Sequence, residues 1–351
     1  MVSTLKQYIL KFHQHSPPYF IFIYSSYECK VAALTKIFFA VDVHGSTPVW
    51  RKWINVVNMY KVDVLILAGD LTGKAVVPIF RKNNEYEAII LNKKYTAKNE
   101  DELKKIQDTI ENMAYYYAIM TKEEANEISK DPKKMDLLFK NAMIDRLRKW
   151  LDLLLEKVDT KNVITIVMPG NDDEQYIDET IKSYEDRSIL YPLDKTITLP
   201  HNYELVSHEF VNPTPWRTPR EAEEDKLYKI VEEKIKRSNV KDYSKAIFNF
   251  HCPPFNTNLD LAPKLDKNMK IVYVGGKPSM IHVGSTSIRK LIEKYQPALG
   301  LHGHIHESYA SDKIGNSIVL NPGSEYTEGI LRGFFIEYDS EGIKNYWKIE
   351  G

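Results

Sequence analysis

The sequence predicts an α/β fold built around a parallel sheet, and two observations lead to this fold class. Residues 36–41 and 62–67 are continuous or nearly continuous apolar runs, which are typical of parallel strands buried on both faces. Between them, Pro48 is followed by a helix-like stretch that runs through Tyr60. A strand, a helix and a second strand in this order indicate a βαβ unit with parallel strands.

Residues 75–160 interrupt this alternation. Two apolar runs indicate a hairpin and two longer patterns with charged faces indicate helices, at 76–80 and 86–91 and then at about 100–117 and 132–158. Thr121 and Glu124 have the spacing of a capping box that opens a short helix. Because the stretch is too long for a simple crossover, we interpret residues 75–160 as a mostly helical cap inserted into the core fold.

The core pattern resumes after the insertion. Strand-like runs and one helix, with Ser285 as its N-cap, are predicted at 163–168, 246–250, 286–295 and 298–301. Short strands and turns follow at 317–320, 333–338 and 343–349. We therefore assign residues 35–351 to a single domain that carries the insertion.

The first 34 residues stand apart from this domain. Lys6 and Lys11 precede an apolar run at 19–24, which loosely imitates a signal peptide. The run is shorter than the ~7–15 residues of a signal's apolar region and far shorter than the ~20 residues of a membrane span. We predict that residues 1–34 are an extension outside the core fold and that the protein has no membrane partner.

Composition limits the classes of partner. The 351 residues include 48 basic and 48 acidic side chains, so the formal net charge is zero. This balance argues against nucleic acid as a partner, because it gives no basic footprint. Two cysteines, Cys29 and Cys252, cannot form a disulfide framework, so we expect a cytoplasmic protein. No pattern in the sequence indicates an oligomeric state.

Polar side chains follow five of the predicted strands. Because the carboxyl ends of strands in an open α/β sheet meet at one crevice, residues far apart in sequence can converge there. Asp, His and Asn supply the oxygen and nitrogen ligands that suit Mn, Fe or Zn ions. The segments are Asp42-Val43-His44, Gly69-Asp70, Gly170-Asn171-Asp172-Asp173, His251 and Gly303-His304-Ile305-His306.

In this order the segments resemble the signature of the calcineurin-like metallophosphoesterase superfamily: D-x-H, G-D, G-N-H-[DE], a lone His and G-H-x-H. The resemblance covers about residues 35–335 and differs at one signature position. It implies a four-layer αββα sandwich and hydrolysis of phosphomonoester or phosphodiester bonds in a small phosphorylated substrate.

The resemblance also implies two divalent metal ions about 3.5–4 Å apart, with Mn as the first expectation and Fe or Zn as alternatives. Asp42, His44 and His306 would hold one ion, and Asn171, His251 and His304 the other. The carboxylate of Asp70 would bridge both ions and so take a direct part in catalysis. A hydroxide shared by the ions would be the nucleophile.

Asp172 departs from the signature, which has a histidine after Gly-Asn that stabilises the pentacoordinate phosphorus or protonates the leaving group. An ionised carboxylate would repel phosphate and has no proton to donate. Either the anionic surroundings keep Asp172 protonated, or the leaving groups are good ones, or another residue substitutes. His201, His208 and His282 are candidates for such a substitute.

Three further residues are candidate substrate contacts. Arg217 lies in a proline-rich stretch and has the fork geometry that binds phosphate, although a solvated arginine is the more frequent case. His282 and Ser285 open the helix before Gly303, where backbone N–H groups could bind an oxyanion. An ordinary capped helix explains Ser285 equally well.

Two other functions remain open from the sequence. A metal-dependent nuclease would use the same ligands, but the balanced charge argues against it. A non-catalytic protein-binding scaffold would have lost ligands, whereas all seven expected ligand positions are filled here. The sequence therefore favours a dinuclear phosphoesterase.

Overall fold

The computed structural model describes residues 34–83 and 85–351. The predicted extension, residues 1–34, therefore lies outside the described residues except for Leu34. Within the described part of the chain, no helix has both the length and the apolar character that a membrane span requires.

One six-stranded sheet contains the first predicted βαβ unit. Four of its strands run parallel to one another. The last two strands of the chain are antiparallel to their neighbours: Arg332–Asp339 pairs with Thr35–Ala40, and Gly342–Glu350 pairs with Arg332–Asp339. In the order β20-β19-β1-β2-β7-β8, the sheet consists of Gly342–Glu350 (β20), Arg332–Asp339 (β19), Thr35–Ala40 (β1), Val64–Ala68 (β2), Ile164–Met168 (β7) and Ile189–Leu190 (β8).

A second six-stranded sheet is formed by the C-terminal half of the chain. Its four inner strands are parallel and its two edge strands are antiparallel to their neighbours. In the order β17-β18-β16-β11-β10-β9, it consists of Ala310–Ile314 (β17), Ser317–Asn321 (β18), Leu299–Leu301 (β16), Ala246–Phe250 (β11), Tyr203–His208 (β10) and Ile197–Leu199 (β9).

Alternating side chains divide the core into layers. In β11, Ile247 belongs to the core shared with the first sheet, whereas Phe248 and Phe250 belong to a second core on the opposite face. That outer face is covered by α6 (Glu224–Arg237) and α7 (Thr286–Tyr295). Helices α1 (Thr47–Tyr60), α4 (Pro132–Lys157) and α5 (Asp178–Lys182) cover the first sheet. The predicted αββα sandwich is confirmed.

The insertion between β2 and β7 differs from the predicted mostly helical cap because it also contains a sheet. The hairpin is present, and α3 begins with the predicted capping box at Thr121. The predicted helix at 100–117 ends at Asn112, and Tyr116 and Tyr117 enter a strand instead. The four-stranded sheet, in the order β5-β4-β3-β6, and two helices are Lys93–Ala97 (β5), Glu85–Ile90 (β4), Val76–Lys82 (β3), Tyr116–Met120 (β6), Glu100–Asn112 (α2) and Lys122–Ser129 (α3).

The insertion has a hydrophobic core of its own and also reaches the main domain. Ile79, Ala88, Leu103 and Ile106 are buried together between its sheet and α2. Long helix α4 then packs on the main core, where the Trp150 indole stacks on that of Trp50, with ring centroids 4.7 Å apart. The segment is therefore a structured unit joined to the core by α4.

The segment between β11 and α7 contains two small antiparallel sheets. They are Leu261–Pro263 (β12) paired with Met280–His282 (β15), and Tyr273–Val274 (β13) paired with Lys277–Pro278 (β14).

Candidate metal centre

The loops that follow β1, β2, β7, β11 and β16 are linked by backbone hydrogen bonds. Asp42 N donates to Gly69 O (3.1 Å), and Gly69 N donates to Met168 O (2.8 Å). On the second sheet, Gly303 N donates to His251 O (2.9 Å). The ends of the parallel strands are therefore connected to their neighbours, which is where the polar residues are expected to converge.

A first group of potential ligand atoms lies at the junction of the first sheet with the loop after β16. Asp42, His44, Asp70 and His306 each offer one atom, and these atoms all lie within 4.8 Å of one another. The two imidazole Nε2 atoms of His44 and His306 are 3.1 Å apart. His44 Nε2 is 3.6 Å from Asp70 Oδ2.

A second group shares Asp70 with the first. Atoms of Asp70, His251 and His304 also lie within 4.8 Å of one another. His251 Nε2 is 3.5 Å from Asp70 Oδ2 and 3.0 Å from Asn171 Oδ1. The structure thus brings six of the seven predicted ligands into two groups that share Asp70, and it places the seventh, Asn171, against His251 of the second group. Their role as metal ligands stays a prediction.

The donor atoms fit metal ions. One oxygen of Asp42 accepts a hydrogen bond from His304 N (2.9 Å), but the buried Oδ1 has no hydrogen-bond partner among the described residues. A buried carboxylate oxygen without a partner is costly unless a cation neutralises it. Imidazole nitrogens and carboxylate or amide oxygens are the ligands that Mn, Fe and Zn accept.

The backbone at these ligands is strained. Asp42, His44, Asp70 and His304 have positive φ angles of 54°, 40°, 45° and 68°. Non-glycine residues rarely adopt this left-handed conformation, which costs of order 1–3 kcal/mol for each residue and tends to occur at functional sites. The fold therefore holds four of the seven ligands in an unfavourable conformation that directs their side chains to one place.

Two glycines make the close approach of the loops possible. A Cβ on Gly69, which has φ +104°, would lie 2.0 Å from His251 Nδ1. A Cβ on Gly170 would lie 2.3 Å from both the backbone nitrogen and Oδ1 of Asp70. Because neither contact is sterically possible, only glycine fits at these positions with this packing.

Electrostatics at the centre are dominated by burial and by the shared aspartate. Burial lowers the pKa of His304 to about 3 and that of His44 well below its ordinary value, so both imidazoles are neutral ligands. Burial opposes charge on His251 as well, but the carboxylates of Asp70 and Asp42 raise its pKa to about 9. Burial raises the pKa of Asp42 to about 6. The two carboxylates thus favour positive charge between them.

Comparison with known proteins identifies a relative and two similar structures. No family model matches the chain. The uncharacterized protein MJ1162 of Methanocaldococcus jannaschii is 35% identical over 175 residues, which cover 49% of this chain and 68% of that protein, so the two belong to one family. The crystal structure of TT1561 of Thermus thermophilus aligns with a TM-score of 0.50 at 14% identity, covering 91% of this chain and 99% of that one. A further crystal structure, with the same coverage of both chains, aligns with a TM-score of 0.54 at 13% identity.

The four-layer fold therefore occurs in solved structures, and it places the five signature segments around one centre. This arrangement is the one that the resemblance to the calcineurin-like metallophosphoesterase superfamily implied.

Asp172 replaces the superfamily histidine and has a basic partner that the sequence analysis missed. Its backbone N–H donates to Asp70 Oδ1 (2.9 Å), and its carboxylate forms an ion pair with Lys74 Nζ. Asp172 Oδ2 is also 3.6 Å from His44 Nδ1. Burial and the negative charge of Asp70 raise the pKa of Asp172. Lys74 is far from Asp172 in sequence and belongs to no motif, so no local signal marked it.

Asp173 belongs to neither group of potential ligand atoms, and its hydrogen bonds hold two loops of the site together. It is fully buried, and its carboxylate accepts hydrogen bonds from Leu71 N (2.9 Å), Thr72 N (2.9 Å), Thr72 Oγ1 (2.6 Å) and Gly170 N (2.8 Å). This single side chain joins the loop after β2 to the loop after β7. Its position at the end of the Gly170–Asp173 segment was visible in the sequence, but its bracing role was not.

Tyr326 is a second residue at the centre that the sequence analysis missed. Its ring centroid is 4.7 Å from that of His44 and 5.8 Å from that of His306. It begins a short 3₁₀ turn after β18, a position for which the sequence gave no motif.

Arg217 and its neighbours lie beside the second group of ligands. The hydroxyl of Thr218 accepts a hydrogen bond from Asn171 Nδ2 (2.8 Å). Arg217 is exposed and lines a cavity of about 650 Å³ together with Glu174, Gln175, Tyr176 and Pro219. Its phosphate-binding role stays a prediction.

Ser285 and His282 have structural partners. The carboxylate of Glu224 accepts hydrogen bonds from Thr286 N (3.0 Å), Ser287 N (2.9 Å) and Ser285 Oγ (2.7 Å). Because a protein carboxylate already occupies the first turn of α7, the oxyanion hypothesis for Ser285 is replaced by the capped-helix alternative. His282 Nδ1 is 2.8 Å from Asp260 Oδ1, which ties it to the loop before β12.

The other candidate substitutes for the missing histidine also have structural surroundings. His208 is buried at the end of β10, where its ring stacks on Phe210 with centroids 5.7 Å apart, and burial lowers its pKa. The ring centroid of His201 is 5.9 Å from that of Tyr338. Neither contact involves the ligand groups, so Lys74 is the basic residue that the structure places at Asp172.

Proposed function

We propose that this protein is a metal-dependent phosphoesterase that hydrolyses phosphomonoester or phosphodiester bonds in a small substrate. The observation that supports it most is that Asp70 belongs to both groups of ligand atoms. An anionic bridge keeps two cations close together, and neutral imidazoles limit the negative charge so that a phosphate can approach. Two bound divalent ions, Mn first, would lower the pKa of a water molecule and neutralise charge on the phosphoryl oxygens.

The contacts of Asp70 explain how the chain orients the shared carboxylate. Asp70 Oδ1 accepts a hydrogen bond from Asp172 N (2.9 Å). Asp70 Oδ2 lies between the groups, 3.6 Å from His44 Nε2 and 3.5 Å from His251 Nε2. One oxygen is thus fixed by the backbone and the other faces both sets of imidazoles. Such hydrogen bonds from surrounding groups fix the direction of a metal ligand.

The insertion contributes to the same region. Gly73 N donates to the hydroxyl of Tyr116 (2.8 Å), and Arg146 Nη1 donates to Gly45 O (3.2 Å). These contacts join the insertion to the loops that carry Asp70 and His44. We propose that the insertion shapes the substrate crevice, as a cap would.

The test is turnover by protein reconstituted separately with Mn²⁺, Fe²⁺ and Zn²⁺. We expect hydrolysis of an aryl phosphate monoester or diester and two ions per chain by elemental analysis. Asp70→Asn should lose both the hydrolysis and the bound ions. Asp339→Asn is the control, because Asp339 on β19 is also a buried aspartate but pairs with Lys344 on β20 (3.1 Å). Protein that binds two ions but leaves every phosphoester intact would contradict the proposal and favour the scaffold.

A further inference from the structure

The ion pair of Lys74 and Asp172 lies directly against the candidate metal centre. The Asp172 backbone contacts Asp70, and the Asp172 carboxylate lies between Lys74 and His44. Lys74 is at the point where the chain leaves the core for the insertion. Its position is fixed because Thr72 is held by Asp173 and Gly73 by Tyr116. The pair is therefore anchored from both sides.

The two side chains differ in exposure. Asp172 is 17% exposed, whereas the side chain of Lys74 is 61% exposed. The carboxylate is thus the inner member of the pair and the ammonium the outer member. An ammonium has three N–H donors, and among the described residues Asp172 is the carboxylate that engages Lys74. Donors remain for a ligand that enters from the solvent side.

The charges of Lys74 and Asp172 bear on how a phosphate group could approach the candidate centre. An isolated carboxylate at position 172, so close to Asp70, would repel a phosphate group. Lys74 neutralises that carboxylate and places the positive end of the pair on the solvent side. Burial would lower the pKa of Lys74, but the hydrogen bond and the charge of Asp172 raise it overall, so the ammonium stays protonated.

We propose that Lys74, oriented by Asp172, binds the phosphoryl group at the position where the superfamily has its histidine. Lys74 is then a substrate-binding residue, and Asp172 is a positioning residue that acts through it. A lysine can replace the histidine here because a point charge with N–H donors binds phosphate oxygens. This inference rests on the proposed function, since it concerns the same site.

The first experiment measures binding of inorganic phosphate to the metal-loaded protein by calorimetry, without turnover. Lys74→Met should weaken binding by roughly ten- to a hundredfold, which is the worth of a charge-assisted hydrogen bond. Lys74→Arg should retain part of the affinity. Lys236→Met is the matched control, since Lys236 is also 61% exposed and pairs with a carboxylate, Glu232, that is 16% exposed. Equal phosphate affinity in Lys74→Met and wild type would overturn the inference.

A double-mutant cycle tests the role of Asp172 as a positioning residue. Asp172→Asn should weaken phosphate binding in the wild type, where Asp172 orients Lys74, but cause no further loss in Lys74→Met, where it only removes a carboxylate that repels phosphate. In both variants metal content should equal that of the wild type, and turnover of an activated aryl phosphate should suffer mainly through KM. Additive losses would refute the coupling.

The two proposals can fail separately. If the wild type binds phosphate in a Lys74-dependent way but hydrolyses no ester, the proposed function fails and the phosphate site stands. If the wild type hydrolyses esters and Lys74→Met does so with unchanged KM, the function stands and the role of Lys74 is refuted.

Discussion

The metal centre and its rim are built in opposite ways. The candidate centre consists of the seven predicted ligands, most of them buried and four of them on strained backbone: Asp42, His44, Asp70, Asn171, His251, His304 and His306. The rim consists of Lys74, Asp172, Arg217 and Tyr326, which are half-buried or exposed. The candidate centre has one geometry that the loops enforce, whereas the rim residues are accessible to solvent. We infer that changes to the centre affect metal binding and that changes to the rim affect substrate binding.

The largest effect should come from a small change at a residue that is not itself a predicted ligand. Gly69→Ala would place a Cβ 2.0 Å from His251 Nδ1 and so displace that imidazole. We expect loss of metal and a fall in kcat/KM beyond the ~10–100-fold that a change to the surroundings of a metal ligand costs. Elemental analysis and kinetics on folded protein measure both.

A second glycine isolates the cause of that effect. Gly275 also has a positive φ, of 59°, but its Cβ would meet nothing within 4 Å in the described structure. Gly275→Ala therefore adds backbone strain without a clash, and it should keep its metal. If both variants lost metal equally, strain and not the contact with His251 would be responsible.

An intermediate effect should appear when the metal is removed. Without ions, the pKa of His251 is raised to about 9 from an ordinary 6.5, which means that the folded state binds its proton more tightly than the unfolded state. This contribution to stability is complete below pH 6.5 and is lost as the pH rises through 9. We expect chelated protein to lose on the order of 3 kcal/mol of unfolding free energy over this range.

Urea unfolding at several pH values measures that loss. The metal-loaded protein should show a much flatter profile, because bound cations displace the proton. Chelated His251→Gln should lack the loss between pH 6.5 and 9. An identical slope in chelated wild type and chelated His251→Gln would show that other groups cause it.

The smallest effect should come from the outer rim. Arg217→Ala should raise KM by less than about tenfold and leave metal content unchanged, because an exposed arginine contributes little more than one solvent-screened contact. Arg237→Ala, at an arginine that is 82% exposed on α6, is the control. Metal loss in Arg217→Ala would show that Arg217 affects metal binding, which would contradict the division between centre and rim.

The sequence predicted the fold and the ligand set because both depend on short-range patterns. Apolar runs predict buried strands, and polar residues directly after them must lie at strand ends, so Asp42 and His251 could be grouped although more than half of the chain separates them. The superfamily signature then divided the ligands between two ions. The structure places six of them in two groups that share Asp70, and Asn171 contacts His251.

What the sequence did not predict depends on distant partners. Lys74 has no motif, and only the fold brings it to Asp172. For Ser285 the decisive partner is Glu224, which lies on another helix. In the insertion, β3 pairs in parallel with β6, which is distant in sequence. The run of three tyrosines from Tyr115 to Tyr117 was too short to distinguish a strand from the end of a helix.

The brace formed by Asp173 has a consequence for how this protein can vary. Because the neighbouring residue fastens the turn, the side chain at position 172 contributes little to its shape. A histidine introduced there by Asp172→His should therefore be accepted without refolding of the turn. Position 172 can therefore change while the hydrogen bonds of Asp173 keep the surrounding loops in place.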